Sequence, residues 1–137
     1  MKPFDEYIED GIIKSQSPDL PRAKALRQES EQSERILKEI IEKIGITDEN
    51  ANYIIKNTYD IIMELIRASM LLKGYNAAGR GAHEAEVAYL AALGFGEKDI
   101  EFADKLRYFR NGILYYGKSF DAEYATKVIE YMEKIKK

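Results

Sequence analysis

The sequence predicts an all-α protein, an up-and-down bundle of four main helices plus a shorter fifth, and three observations carry that prediction. All three prolines fall within the first 21 residues. Beyond Pro21 the chain runs as charged and apolar residues at helical spacing with few breakers. Glycines stand where the periodic segments stop, at Gly45, Gly74, Gly94, Gly96 and Gly117, and the short links they mark make consecutive helices antiparallel neighbours.

Residues 1–18 are expected to form an N-terminal arm and residues 19–137 the bundle. Within the arm, FDEYIEDGII offers Phe4, Tyr7, Ile8 and Ile12 for docking, while Gly11 weakens any helix there. The first long helix is predicted from about Asp19 to Lys43, with Asp19 or Ser17 as N-cap. Its first half, RAKALRQESEQSER, has almost no apolar face, so anchoring is expected from Ile36, Leu37, Ile40, Ile41 and Ile44. Thr47 or Asp48 caps the next helix, whose stripe Ile54, Thr58, Ile61, Leu65, Ser69, Leu72 lies beside a second stripe of Ile55, Tyr59, Ile62 and Ile66. Two adjacent apolar stripes mark it as the central helix.

The small-residue connection YNAAGRGAH leads to a third helix, predicted from about Ala82 to Leu93, and a fourth follows from about Glu97 to Tyr116. On the fourth, Phe102, Leu106, Phe109, Ile113 and Tyr116 recur at steps of four, three, four and three, which makes them its core face. A fifth helix over about 121–135 is capped by Asp121 or Ser119 and buries Tyr124, Val128, Tyr131 or Met132, and Ile135.

A chain of 137 residues suits one domain that buries roughly two-thirds of its accessible surface on folding. The absence of cysteine excludes disulfides, thiolate nucleophiles and cysteine metal sites, and suits a reducing compartment. The start MKPFDEYIEDG carries acids where a signal peptide carries a basic region and an apolar run, so a soluble, unprocessed, cytoplasmic protein without a membrane span is expected. A formal net charge of −3 argues against a nucleic-acid grip by the whole molecule and restricts any such binding to a local patch.

That patch is suggested by KLRYFRNGILYYGKSF, residues 105–120, which holds four basic and five aromatic side chains and no acid. Leaving the core stripe aside, Arg107, Arg110, Asn111 and Lys118 form a polar, positive side, and no carboxylate stands between Asp104 and Asp121. One reading is a solvated face, with lysine favourable at the helix C-terminus. The other is a phosphate-binding ridge, because the planar fork of arginine matches phosphate oxygens and exposed aromatic rings, here Tyr108 and Tyr115, stack on bases. His83 is the only histidine, and with Glu84 and Glu86 beside it no second strong ligand completes a metal site; no metal and no cofactor are expected. It either hydrogen-bonds a backbone carbonyl or a neighbouring tyrosine or, following Gly79, Arg80 and Gly81, belongs to an anion-cradling turn in which Arg80 takes part.

Two segments together resemble a known family. The helix ending LLKGY, followed by GRGAHEAEVAYL and then LRYFRNGILYYG before a last amphipathic helix, is similar to the HEPN domain, the helical nucleotide-binding domain of higher eukaryotes and prokaryotes, over roughly residues 20–137. The resemblance implies a helical bundle that is commonly a homodimer, often a partner of a minimal nucleotidyltransferase, with an active branch of metal-independent ribonucleases in toxin–antitoxin and defence systems. The family's signature is an arginine, usually a polar residue next, and a histidine after four to six further positions. Arg110 and Asn111 match its start, but Tyr115, Tyr116 and Gly117 fill the window for the histidine. A tyrosine, with a reference pKa of about 10, is a poor base near neutral pH. The expectation is therefore a non-catalytic module binding a nucleotide, RNA phosphates or a nucleotidyltransferase through Arg107, Arg110, Asn111, Lys118 and Arg80. The alternatives are a divergent ribonuclease using Arg110 with Tyr115 or His83, and a dimeric scaffold whose fourth helix pairs across a two-fold axis.

Overall fold

The computed structural model describes residues 1–136, apart from the side chains of Leu114 and Tyr115. Its main helices are α2 (Leu20–Ile44), α3 (Ala51–Leu72), α5 (Glu97–Tyr116) and α6 (Ala122–Lys136), and the shorter ones are α1 (Phe4–Glu9) and α4 (Ala82–Ala88), the latter continuing into a 3₁₀ turn over Tyr89–Ala91. The expected third helix is thus α4 plus that turn, and the expected fourth and fifth are α5 and α6. Strands β1 (Ile13–Ser15) and β2 (Tyr75–Ala77) pair antiparallel with Lys14 opposite Asn76, a sheet that three-residue strands far apart in sequence do not announce.

Helix α3 is the centre of the bundle, as its two apolar stripes require. Ile54, Ile55, Ile61, Ile62 and Ile66 are buried on it, and Thr58 joins them by donating its hydroxyl to the Ile54 carbonyl. Helix α2 lies antiparallel to α3, with the Asp19 amide donating to the Leu71 carbonyl at one end. The Asp19 carboxylate accepts from the Arg22 amide and caps α2. The first half of α2 is better anchored than its composition suggests: Ala23 and Ser30 are buried, because small side chains let two helix backbones approach closely. The second half has more apolar surface than the bundle covers, and Ile36 and Ile44 remain exposed.

At the start of α3, Thr47 and Asn50 bond each other's amides reciprocally, while Asp48 turns away and accepts from the Ala122 amide. Asp48 therefore caps α6, together with Asp121, which accepts from the Tyr124 amide. The chain reverses after α5 at Gly117, which is left-handed (φ 64°). It then crosses to Asn52, whose side chain bonds the Lys118 carbonyl and the Phe120 amide. This crossing corrects one core assignment. Phe120 packs on Phe109 and Tyr124, while Tyr116 in the last turn of α5 is 79% exposed.

The N-terminal arm is docked. Tyr7 and Ile13 are buried, and the Phe4 ring meets Tyr75 and Tyr89 edge-on. Gly74 makes the docking possible: its φ is +82°, and a β-carbon there would collide with the Gln16 carbonyl, which accepts no side chain so close. Among the described residues no helix is long and apolar enough to cross a membrane.

Candidate functional site

Helices α2 and α5 flank α3 without closing over it, and α4 crosses the end of the gap. The result is a cleft of about 430 Å³, within the range of small-ligand sites. Glu29 and Ser33 line it from α2, and Arg110 from α5. Tyr59, Asp60, Glu64 and Arg67 rise from α3, and His83 closes the end from α4.

At the α4 end three side chains are bonded together. Glu86 has a side chain only 3% exposed, which a carboxylate tolerates when it is paired and hydrogen-bonded. Arg67 meets it with both edges of its fork, Nε to Oε2 at 2.6 Å and a terminal nitrogen to Oε1 at 3.1 Å. These bonds hold the Arg67 guanidinium above its ordinary range. Nδ1 of His83, three residues before Glu86 and so on the same helix face, lies 3.0 Å from Oε1. The imidazole itself is 61% exposed at the mouth of the cleft.

Arg110 sits differently. One terminal nitrogen lies 3.2 Å from Asp60, its guanidinium lies 5.5 Å from the centre of the Tyr59 ring, and its buried Nε has no acceptor among the described residues. Its donor capacity is thus not used up. Burial pushes the Tyr59 hydroxyl up to about 12, against the opposing pull of Arg110 and Arg107, so the ring is a neutral floor. Burial, with Glu29 and Asp60 near, also pushes the Glu64 carboxyl above its usual range.

The positive ridge expected on α5 does not form as a unit. Nε and a terminal nitrogen of Arg107 both bond the same oxygen of Asp104, at 3.0 and 2.9 Å, and the guanidinium lies over the Tyr108 ring. Arg107 is therefore neutralised by the carboxylate one turn earlier, and its partner sits just outside the acid-free stretch. Lys118 lies beyond the helix end, its stem against Gly112. Asn111 is half-buried and Arg80 exposed, and neither lines the cleft. Arg80 precedes a helix of seven residues, too short to offer a strong dipole. The Tyr115 side chain lies outside the described residues.

Of the expected site residues, the fold brings together Arg110 and His83. Sequence reasoning named Glu86 beside His83 without giving it a role, and missed Arg67, which fixes that carboxylate, and Asp60, which restrains the arginine. The spacing of His83 and Glu86 was a usable signal; the partnership with Arg67 was not, since it joins two helices. Among the described residues no group of three or more His, Cys, Asp or Glu side chains is arranged to hold a metal ion. No family model, no curated protein and no solved structure matches the chain.

Proposed function

We propose that the chain is a HEPN-like module that binds a phosphate-bearing ligand, a nucleotide or a phosphate of an RNA backbone, in the cleft between α2 and α5. One observation carries the reading: Arg110 and His83, 27 positions apart (110 − 83), line the same cleft. Arg110 supplies the fixed positive charge, restrained by Asp60 through one terminal nitrogen. The His83 side chain, 61% exposed, adds a ring that donates to a phosphate oxygen from Nε2 when it is protonated. The carboxylates of Glu29, Asp60 and Glu64 on the same walls repel a run of phosphates, so the ligand presents one phosphate to the cleft. Homodimerisation and a nucleotidyltransferase partner belong to this reading as the setting in which the module works.

Fluorescence anisotropy with labelled AMP and a short labelled RNA tests it. Salt-sensitive binding is expected for the unaltered protein, its loss in Arg110→Glu, and its retention in Arg107→Glu. Undiminished binding by Arg110→Glu would remove the cleft from consideration.

A second reading, metal-independent RNA cleavage, is favoured by the carboxylate-held imidazole beside Arg110. In that reaction the 2′-hydroxyl gives its proton to His83 and attacks phosphorus. The bond to the 5′-oxygen breaks, and that oxygen takes a proton from water, leaving a 2′,3′-cyclic phosphate and a 5′-hydroxyl. Arg110 stabilises the charge that builds on the phosphorane oxygens. Labelled RNA incubated with EDTA should be cut by the unaltered protein and spared by His83→Ala and Arg110→Ala; intact RNA after long incubation of the unaltered protein would refute this reading.

A further inference from the structure

We infer that Glu86, locked in place by Arg67, is a positioning residue that holds His83 in its Nδ1–H tautomer, so that Nε2 is the nitrogen offered to the ligand. The inference rests on the acid–base reading for its use, though not for its truth.

Two bonds immobilise the Glu86 carboxylate against Arg67, and burial keeps water from competing for it. A carboxylate in a bidentate pair with a guanidinium is ionised and only accepts hydrogen bonds. The nitrogen 3.0 Å from it must therefore carry the hydrogen in the neutral ring, and that nitrogen is Nδ1. Free imidazole side chains prefer the opposite tautomer, with hydrogen on Nε2, so the site inverts the intrinsic preference. The inversion has a chemical consequence. The lone pair of the neutral ring sits on Nε2, which has no partner among the described residues, and that lone pair is what a 2′-hydroxyl proton or a protonated phosphate oxygen would meet. The other charged groups around the cleft, Glu29, Asp60, Glu64 and Arg110, come from other helices, and none is bonded to the imidazole. A helix-surface pair without a mechanistic role would also place Glu86 three residues after His83, but it would not require the carboxylate to be buried and held at both oxygens by a residue of another helix.

A single histidine makes the test direct, since one imidazole gives one pair of ring nitrogens. Long-range nitrogen–proton correlation spectra of uniformly ¹⁵N-labelled protein, recorded at about pH 9, above the range in which imidazoles ordinarily titrate, distinguish the two tautomers. The expected result is a protonated-type Nδ1 and an unprotonated-type Nε2. A ring with the reverse pattern, or one averaged as in free histidine, would overturn the inference. Glu86→Leu alone strands Arg67 and threatens folding, so the companion protein is the double variant Glu86→Leu with Arg67→Leu. There the ring should relax to the Nε2–H form, and persistence of the Nδ1–H form would equally overturn the role given to Glu86. The acid–base reading is judged apart from this, by the RNA assay: an Nδ1–H ring in a protein that leaves RNA intact upholds Glu86 as the positioning residue and removes the cleavage reading.

Discussion

Two arginine–carboxylate pairs in this protein use the same chemistry and end differently. On α5, Arg107 folds back onto Asp104 within one turn, and with Tyr108 beside it the charge is spent locally. Between α3 and α4, Arg67 instead grips Glu86 at both oxygens, and one of them, Oε1, is shared with a third group, His83. The first pair is a closed unit on one helix. The second joins two helices and carries an exposed ring to the mouth of a cleft that Arg110 also lines. Cationic character along a helix is therefore a poor guide to a binding site by itself.

Breaking the second pair should cost far more than breaking the first. Glu86→Ala leaves the half-buried Arg67 without its partner, and a loss of about 3–5 kcal/mol is expected in urea denaturation. Asp104→Ala marks the other end of the comparison. Its carboxylate is 30% exposed and Arg107 keeps the Tyr108 ring, so a smaller loss of about 1–2 kcal/mol is expected in the same experiment.

Between these extremes lie the two arginines of α5. Replacing Arg110 with glutamine should weaken binding of labelled AMP or RNA by about tenfold, corresponding to about 1.4 kcal/mol and typical of one lost charge-assisted contact. The matching Arg107→Gln change should leave affinity within about twofold, because Asp104 already occupies that guanidinium. Equal losses would restore the α5 ridge as the binding surface.

A smaller effect probes the acidic wall of the cleft. Glu64 keeps its proton to a higher pH in the folded protein than in the unfolded chain, because burial and the neighbouring Glu29 and Asp60 oppose its ionisation. In the window between the unfolded and the raised folded value, folding takes up a proton, so this carboxyl costs stability as pH rises through the window, and the cost is complete above it. Glu64→Gln should therefore leave the melting temperature unchanged at about pH 3, below the ordinary carboxyl range. At neutral pH it should raise stability by about 1 kcal/mol or less, since solvent screens a partly exposed group. Thermal melts at the two pH values check the sign.

Much of the bundle was legible because helical periodicity is a local property. The double stripe of α3 marked the central helix, and Asp19, Gly45 and Gly117 marked ends correctly. Errors arose where long-range packing decides. Tyr116 continues the core spacing of α5, but the chain turns at Gly117 and brings Phe120 into the aromatic cluster instead. Asp48 looks like the cap of the helix it precedes, yet it serves α6, which lies 74 residues away. The arm's strand pairing depends on Gly74 admitting the Gln16 carbonyl, which no periodicity encodes. The candidate site was legible only in part for the same reason. Arg110 and His83 stood out as residue types, but their shared cleft and the partners that hold them belong to four different helices.

The most direct measurement follows the His83 imidazole by carbon–proton NMR while 5′-AMP or a short single-stranded RNA is titrated in, for the unaltered protein and for Arg110→Gln. The account predicts a saturable displacement of the imidazole signal that weakens with added salt and is largely lost in the variant. An imidazole signal that stays fixed while the ligand binds elsewhere, or that moves equally in both proteins, would contradict the assignment of the cleft as the phosphate site.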